Sequence, residues 1–398
     1  MKAEKTIIRE GWAYGLLIAL IGLMALVGCS KDDAAAAGSN GEPAGTSFVE
    51  VASYVRWFDE TNGANRANRA WAIPTGYIAY EDGEQSIGIA FTQNGVDPAA
   101  GADPGNPKSM IGNFFKSGDK WRTNVEGIAA SQTYYLYGYI PHQTAIDYSI
   151  TDLNVANDAY NAGAIMTLEK VPTVMSKDLC VVIGAKQGTD KEHDSGLRMG
   201  DFGFTSSASA TGNYVFLLFD HLYAALRIKM KVYKDYNNLR TIKLKSLQLD
   251  TQADEGTTRQ KTDITIRLES TDGSVSPIKS ITFNQPETYP VIDGEGLEFW
   301  SDDAGEELTT TDKQFIGHFM PSGITTLVLT SVYDVYDKKG NLIRKGCKAT
   351  NTMVLKELLT GQTYTERGKR YTINMTIQPT YLYMLSEPDL DNPTVTIN

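Results

Sequence analysis

Histidine and cysteine are scarce in this chain, with 4 and 3 among 398 residues. The histidines, His142, His193, His221 and His318, stand in no HExxH run and at no close ligand spacing, so no motif-borne metal centre is expected. No Gly-x-Ser-x-Gly elbow and no phosphate-cradling glycine loop occurs, and no catalytic residue or cofactor is expected. The chain also lacks a positive field. With 37 basic against 48 acidic side chains the net charge is -11, which excludes a duplex-binding surface and leaves nucleic acid off the partner list. The sustained 3.6-residue periodicity of long amphipathic helices is missing too.

What the chain has is glycine, tyrosine and short alternating apolar runs. Its 36 Gly and 21 Tyr fit strands joined by many turns. The clearest stretch is Tyr214–Leu249. From Leu222 to Val232 every second residue is apolar: Leu222, Ala224, Leu226, Ile228, Met230 and Val232. Period two puts them on one face of a strand. Lys234–Asn238 reads as a turn, and a second run carries Ile242 and Leu244, then Leu247 and Leu249. That slip in parity after Lys245-Ser246 requires a bulge, so a bulged antiparallel hairpin is expected, with His221 on its polar side. Further short strands separated by Gly, Pro, Asn and Asp run along the whole chain. The fold class is therefore all-β, built as two β-sandwich domains, 48–208 and 209–398, joined in the small-residue stretch Phe204–Gly212.

The start is a targeting segment. Lys2, Lys5 and Arg9 precede the uncharged run Leu16–Val27. As a helix that run would reach about 18 Å at 1.5 Å per residue, short of the ~30 Å hydrocarbon core, so it reads as a secretory signal. It ends in Leu26-Val27-Gly28-Cys29, which resembles the lipobox of bacterial lipoproteins. Residues 1–28 are then the signal peptide, Cys29 the lipidated residue, and the core-poor tract 29–47 a tether. The acidic residues just after Cys29 resemble export signals of Bacteroides-group surface lipoproteins. Of the other cysteines, Cys180 lies in the apolar run Leu179–Ile183 and reads as a small core residue rather than a partner for Cys347.

Phe48–Trp57 is a first strand with apolar residues on both parities, Val49, Val51 and Val55 against Phe48, Ala52 and Tyr54. It can act as a plug buried on two faces. The next loop carries Arg66 and Arg69 among Gly and Asn residues and holds no Lys. Arg56 falls within the strand. Ser131–Pro141 is an aromatic strand. The tail 379–398 alternates at Tyr381, Tyr383 and Leu385, with Val395 and Ile397 after Pro393.

The lipobox, the first strand, the Arg loop, Ser131–Pro141, Val215–Val232 and the tail together resemble the fimbrillin-like family of Bacteroides-type surface lipoproteins, the subunits of type V pili. The resemblance implies transthyretin-like (Greek-key) topology in both sandwiches and a lipid-anchored precursor at the outer membrane. It implies cleavage after Arg66 or Arg69 by an arginine-specific protease, and assembly with other fimbrial subunits by donor-strand insertion, with the tail as a donor. The other reading is a monomeric surface lipoprotein that binds glycan through exposed Tyr134, Tyr135 and Tyr137. The acidic clusters Asp302-Asp303, Glu306-Glu307 and Glu387/Asp389/Asp391 read as solvated surface.

Overall fold

Ala224–Val232 is a strand whose apolar parity is buried as the alternation requires. Leu222, Ala224, Leu226, Ile228, Met230 and Val232 are all buried, while Arg227, Lys229 and Lys231 on the other parity keep partial access to solvent. Burial of an aliphatic side chain of this kind stabilises by about 1.5–3 kcal/mol, so this face alone fixes the strand's orientation. The second run is the strand Arg240–Ala253. Its register slips between Leu244 and Ser246 against both neighbouring strands, which leaves Lys245 as the bulge that the sequence demands.

The expected hairpin is not there. Residues 234–239 form a short helix, Lys234–Leu239, with Tyr236 buried, in place of a tight turn. The helix carries the chain into a different sheet. Ala224–Val232 pairs with Lys313–Phe319 and, in parallel, with Lys369–Ile377. Arg240–Ala253 pairs instead with Leu297–Leu308, Ile324–Asp337 and the short strand Gly256–Thr257.

The computed structural model describes residues 47–55, 59–60, 76–77, 86–92, 110–117, 120–123, 133–152, 163–188, 197–205, 214–292, 295–359, 363–377 and 394–397, with isolated positions at 125, 128 and 131. All lie in the compact unit Gly45–Asn398. The described residues form four sheets and two short helices, so the fold is all-β. No helix among them is long and apolar enough to cross a membrane.

The largest sheet has nine strands. Its path runs Cys180–Gly188, Tyr214–His221, Ser47–Val55, Lys120–Thr123, Met110–Ser117, Ser86–Thr92, Thr133–Ile140, Gly203–Thr205. Thr133–Ile140 also pairs with Cys180–Gly188 through Cys180↔Ile140 and Val181↔Tyr139, so the hydrogen-bonded path closes on itself. The six-stranded sheet runs Val174–Met175, Lys313–Phe319, Ala224–Val232, Lys369–Ile377, Asp59–Glu60, with Thr394–Ile397 also on Lys369–Ile377. Arg240–Ala253 and Ile324–Asp337 centre a third sheet, which ends on Leu342–Val354. Asp147–Asp152, Gly163–Pro172, Lys261–Glu269 and Ile278–Asn284 form the fourth.

Several pairings join residues on either side of position 208, among them Ser47–Val55 with Tyr214–His221 and Gly163–Pro172 with Lys261–Glu269. Phe204 and Thr205, at the start of the expected linker, belong to the strand Gly203–Thr205, which lies on Thr133–Tyr135.

A two-residue bend is among the short connections between the two largest sheets. Tyr214–His221 ends in the nine-stranded sheet, Leu222 and Tyr223 bend, and Ala224–Val232 begins in the six-stranded one. Both bend residues are buried, and the Tyr223 hydroxyl donates to the Pro172 carbonyl at 2.7 Å.

Candidate assembly site

The first strand is an interior stave of the nine-stranded sheet. It pairs in parallel with one neighbour from Glu50↔Tyr214 to Val55↔Phe219. On its other side it pairs antiparallel with Lys120–Thr123 through Ser47↔Thr123, Phe48↔Arg122 and Val49↔Trp121, and with Gly76–Tyr77 through Tyr54↔Tyr77 and Val55↔Gly76. The flanking strand Tyr214–His221 is built for such a place. Val215, Phe216, Leu217, Leu218 and Phe219 are each at most 2% exposed, so it is apolar on both faces, as a strand in parallel pairing must be when both faces are covered. Its far side is already taken by Cys180–Gly188. Without the first strand, the backbone groups that Tyr214–Phe219 turn toward it would lose their ladder. A buried backbone group left unpaired costs about 1–3 kcal/mol.

The chain just past the first strand belongs to the other large sheet. Asp59–Glu60 runs parallel to Lys369–Arg370. The same strand holds the tail, with Ile373↔Ile397, Asn374↔Thr396, Met375↔Val395 and Thr376↔Thr394. The tail is thus bonded to its own chain over four residues.

Cys29, Arg56, Arg66, Arg69 and the tail residues 379–393 lie outside the described residues. The positions of Arg66 and Arg69 in the chain still matter, because both Ser47–Val55 and Asp59–Glu60 precede them and Gly76–Tyr77 follows. A cut after either arginine would separate both N-terminal strands from the remainder.

The glycan reading loses its platform. Tyr134 and Tyr137 are 1% and 0% exposed, and Tyr135 is half-buried. From Leu136 to Ile140 the strand is buried on both faces, and the rings of Tyr134, Tyr137 and Tyr139 are core. Phe91 meets Tyr134 edge-on at 6.0 Å, and Tyr137 lies 4.8 Å from Phe202. The Asp302-to-Glu307 cluster lies on an exposed strand and is engaged by lysines, with Lys245 donating to the Asp303 carbonyl and Lys313 pairing with Glu306.

A second constellation sits at the bend between the sheets, and sequence reasoning missed it. Cys180 opens its strand opposite His221, which closes its own. Asp178 lies two residues before Cys180. The His221 ring Nδ1 is 2.6 Å from Asp178 Oδ2 and 3.6 Å from Cys180 Sγ, and Cys180 Sγ donates to Asp178 Oδ2 at 3.2 Å. Cys180 and His221 are each 2% exposed. Burial alone would push the Asp178 carboxyl up, but the charge and hydrogen bond of His221 hold it below the usual carboxylate range. Burial, reinforced by Asp178, raises the Cys180 thiol well above its ordinary value. Burial lowers His318, which senses both Asp178 and His221. Next to the trio, the buried Asp220 carboxylate accepts from Arg367 at 3.0 Å, and Arg367 also donates to the His221 carbonyl at 2.9 Å. His221 does hydrogen-bond, as expected, but inside the protein rather than on a polar strand face. Cys180 is a core residue as expected, and no disulfide joins it to Cys347. The signal for the trio was weak: an Asp-x-Cys pair at a strand start, and a histidine 41 residues on whose position depends on sheet register.

No protein-family model and no curated protein matches the chain. Among solved structures it is similar to a fimbrial protein from Bacteroides vulgatus, at 16% identity over 78% of this chain and 91% of that one, with a TM-score of 0.35. It is similar also to the fimbrial anchor protein Mfa2 from Porphyromonas gingivalis, at 10% identity over 87% and 95% of the two chains, with a TM-score of 0.23. Superposition at that level fixes neither topology nor role.

Proposed function

We propose that the chain is a structural, non-enzymatic subunit of a cell-surface fimbria that contributes to adhesion. In this reading it is exported as a lipoprotein, is acylated at Cys29 and reaches the outer membrane. An arginine-specific protease then cuts after Arg66 or Arg69, and a strand from another fimbrial subunit takes the place of Ser47–Val55. The supporting observation is the interior, doubly paired position of that strand. An exposed row of backbone donors and acceptors is a template for an added strand, and alternate pockets along the slot would select it. The four-residue pairing of Thr394–Ile397 is short enough for the tail to leave its own sheet and serve as the donor. The division into 48–208 and 209–398 stands as a proposal of two sandwich regions that exchange strands across the boundary.

The test is direct. Purified precursor is treated with an arginine-specific protease, followed by intact-mass measurement and electrophoresis without heating. Cleavage after Arg66 or Arg69 with a high-mass ladder is expected. A cleaved chain that stays monomeric and keeps its N-terminal fragment bound would end the proposal.

A further inference from the structure

We propose that Asp178, Cys180 and His221 form a binding site for one divalent transition-metal ion, of which Zn²⁺ is the best fit. The ligand atoms converge within 4.8 Å of one another and combine a carboxylate oxygen, a sulfur and an imidazole nitrogen. That donor set suits a borderline-soft cation and does not suit Mg²⁺ or Ca²⁺.

Geometry carries the case. Tetrahedral zinc with bonds of about 2.3 Å to sulfur and about 2.0–2.1 Å to nitrogen and oxygen places sulfur about 3.5 Å from each of the other two donors. The observed separations from Cys180 Sγ are 3.6 Å to His221 Nδ1 and 3.2 Å to Asp178 Oδ2. Only the Nδ1–Oδ2 edge, 2.6 Å under its hydrogen bond, must open, by roughly 0.7 Å to reach the tetrahedral value. The other carboxylate oxygen, Asp178 Oδ1, is buried without a hydrogen-bond partner, an uncompensated acceptor at the same spot. The Asp178 side chain is 23% exposed, which leaves a route from solvent to an otherwise closed cluster.

Charge closes as well. Binding expels two protons to water, one from the Cys180 thiol and one from Nδ1 of the His221 imidazolium, which leaves a neutral imidazole protonated at Nε2. The cation then faces one thiolate and one carboxylate, so the site is neutral when filled. A filled site would clamp Cys180–Gly188 to the end of Tyr214–His221, the strand that borders the first-strand position. The inference does not depend on the fimbrial reading.

Cobalt is the probe. Full-length protein stripped with chelator is titrated with Co²⁺ and followed by absorption. The expected result is one ion per chain, a thiolate-to-cobalt charge-transfer band in the near ultraviolet, the intense visible bands of four-coordinate cobalt, and loss of all of them on adding Zn²⁺. Cys180→Ser should abolish the near-ultraviolet band and weaken binding by more than about 100-fold, beyond the loss typical of outer-shell changes. Cys347→Ser should leave the band intact. Absence of the band in the unaltered protein, or its disappearance in Cys347→Ser instead, overturns the proposal. If circular dichroism shows Cys180→Ser misfolded, Asp178→Asn decides, and wild-type cobalt affinity in that variant also overturns it.

Discussion

The two ends of the folded chain are held in opposite ways. Ser47–Val55 is an interior strand, bonded on both sides and in parallel to a neighbour apolar on both faces. Thr394–Ile397 is paired to one strand through four residues. An edge strand can leave and return at modest cost. An interior strand cannot leave unless something else takes its ladder. The same chemistry of strand pairing thus gives one segment the properties of a keystone and the other those of a latch.

The most severe way to break this contrast is to remove residues 47–60. Eight parallel register pairs are lost, six with Tyr214–His221 and two with Lys369–Ile377, and at about 0.5–1.5 kcal/mol net per hydrogen bond the loss is on the order of 4–12 kcal/mol, comparable with the whole stability of a typical domain. The shortened chain should fail to give a cooperative melt by circular dichroism, and a synthetic Ser47–Glu60 peptide added in trans should restore one. A chain that melts normally without the peptide would make the first strand dispensable.

Arg367→Ala should be next in size. It strips the buried Asp220 carboxylate of its cation, and breaking such a pair costs about 3–5 kcal/mol. Phe219→Ala, beside the first strand, should cost a similar ~3–5 kcal/mol through its cavity. Both are read as midpoints in urea. Deleting Thr394–Asn398 should cost only about 1–3 kcal/mol, from the few bonds of a terminal pairing, and the protein should stay folded.

The smallest effect concerns acid. His318 is held below its ordinary value of 6.5 by burial, so its neutral form is favoured in the folded state. Its contribution is complete above about pH 6.5 and is lost as the pH falls from there through the folded value. Asp178, also depressed, adds a loss of the same sign at lower pH, below the ordinary carboxylate range. Melting temperatures measured from pH 7 to pH 5 should fall, and His318→Asn should flatten the upper part of that fall.

Legibility in the sequence followed the number of buried faces. Ala224–Val232 and Lys261–Glu269 bury one parity, and their alternation was plain. The Lys245 bulge was legible for the same reason, since a change of parity has few structural explanations. Ser86–Thr92 escaped notice because it is buried on both faces, and Gly88 in its middle presses against the Tyr139 ring. Leu297–Leu308 escaped because its acidic residues face solvent and mimic a loop. Partnership was not legible at all. Nothing in the run Tyr214–Leu249 says that its two halves join different sheets, because a six-residue helix and a turn look alike in composition. The Asp178–Cys180–His221 trio was hidden by the same gap, being made by register between strands remote in sequence.

Asp59–Glu60 and Thr394–Ile397 lie as two tiles along one rim of the six-stranded sheet, on Lys369–Arg370 and Ile373–Thr376. A bare rim of that kind invites copies of the same chain to stack on it. Tiled by segments far apart in the sequence, the rim has part of its backbone already paired, and removing either piece would uncover the groups it pairs.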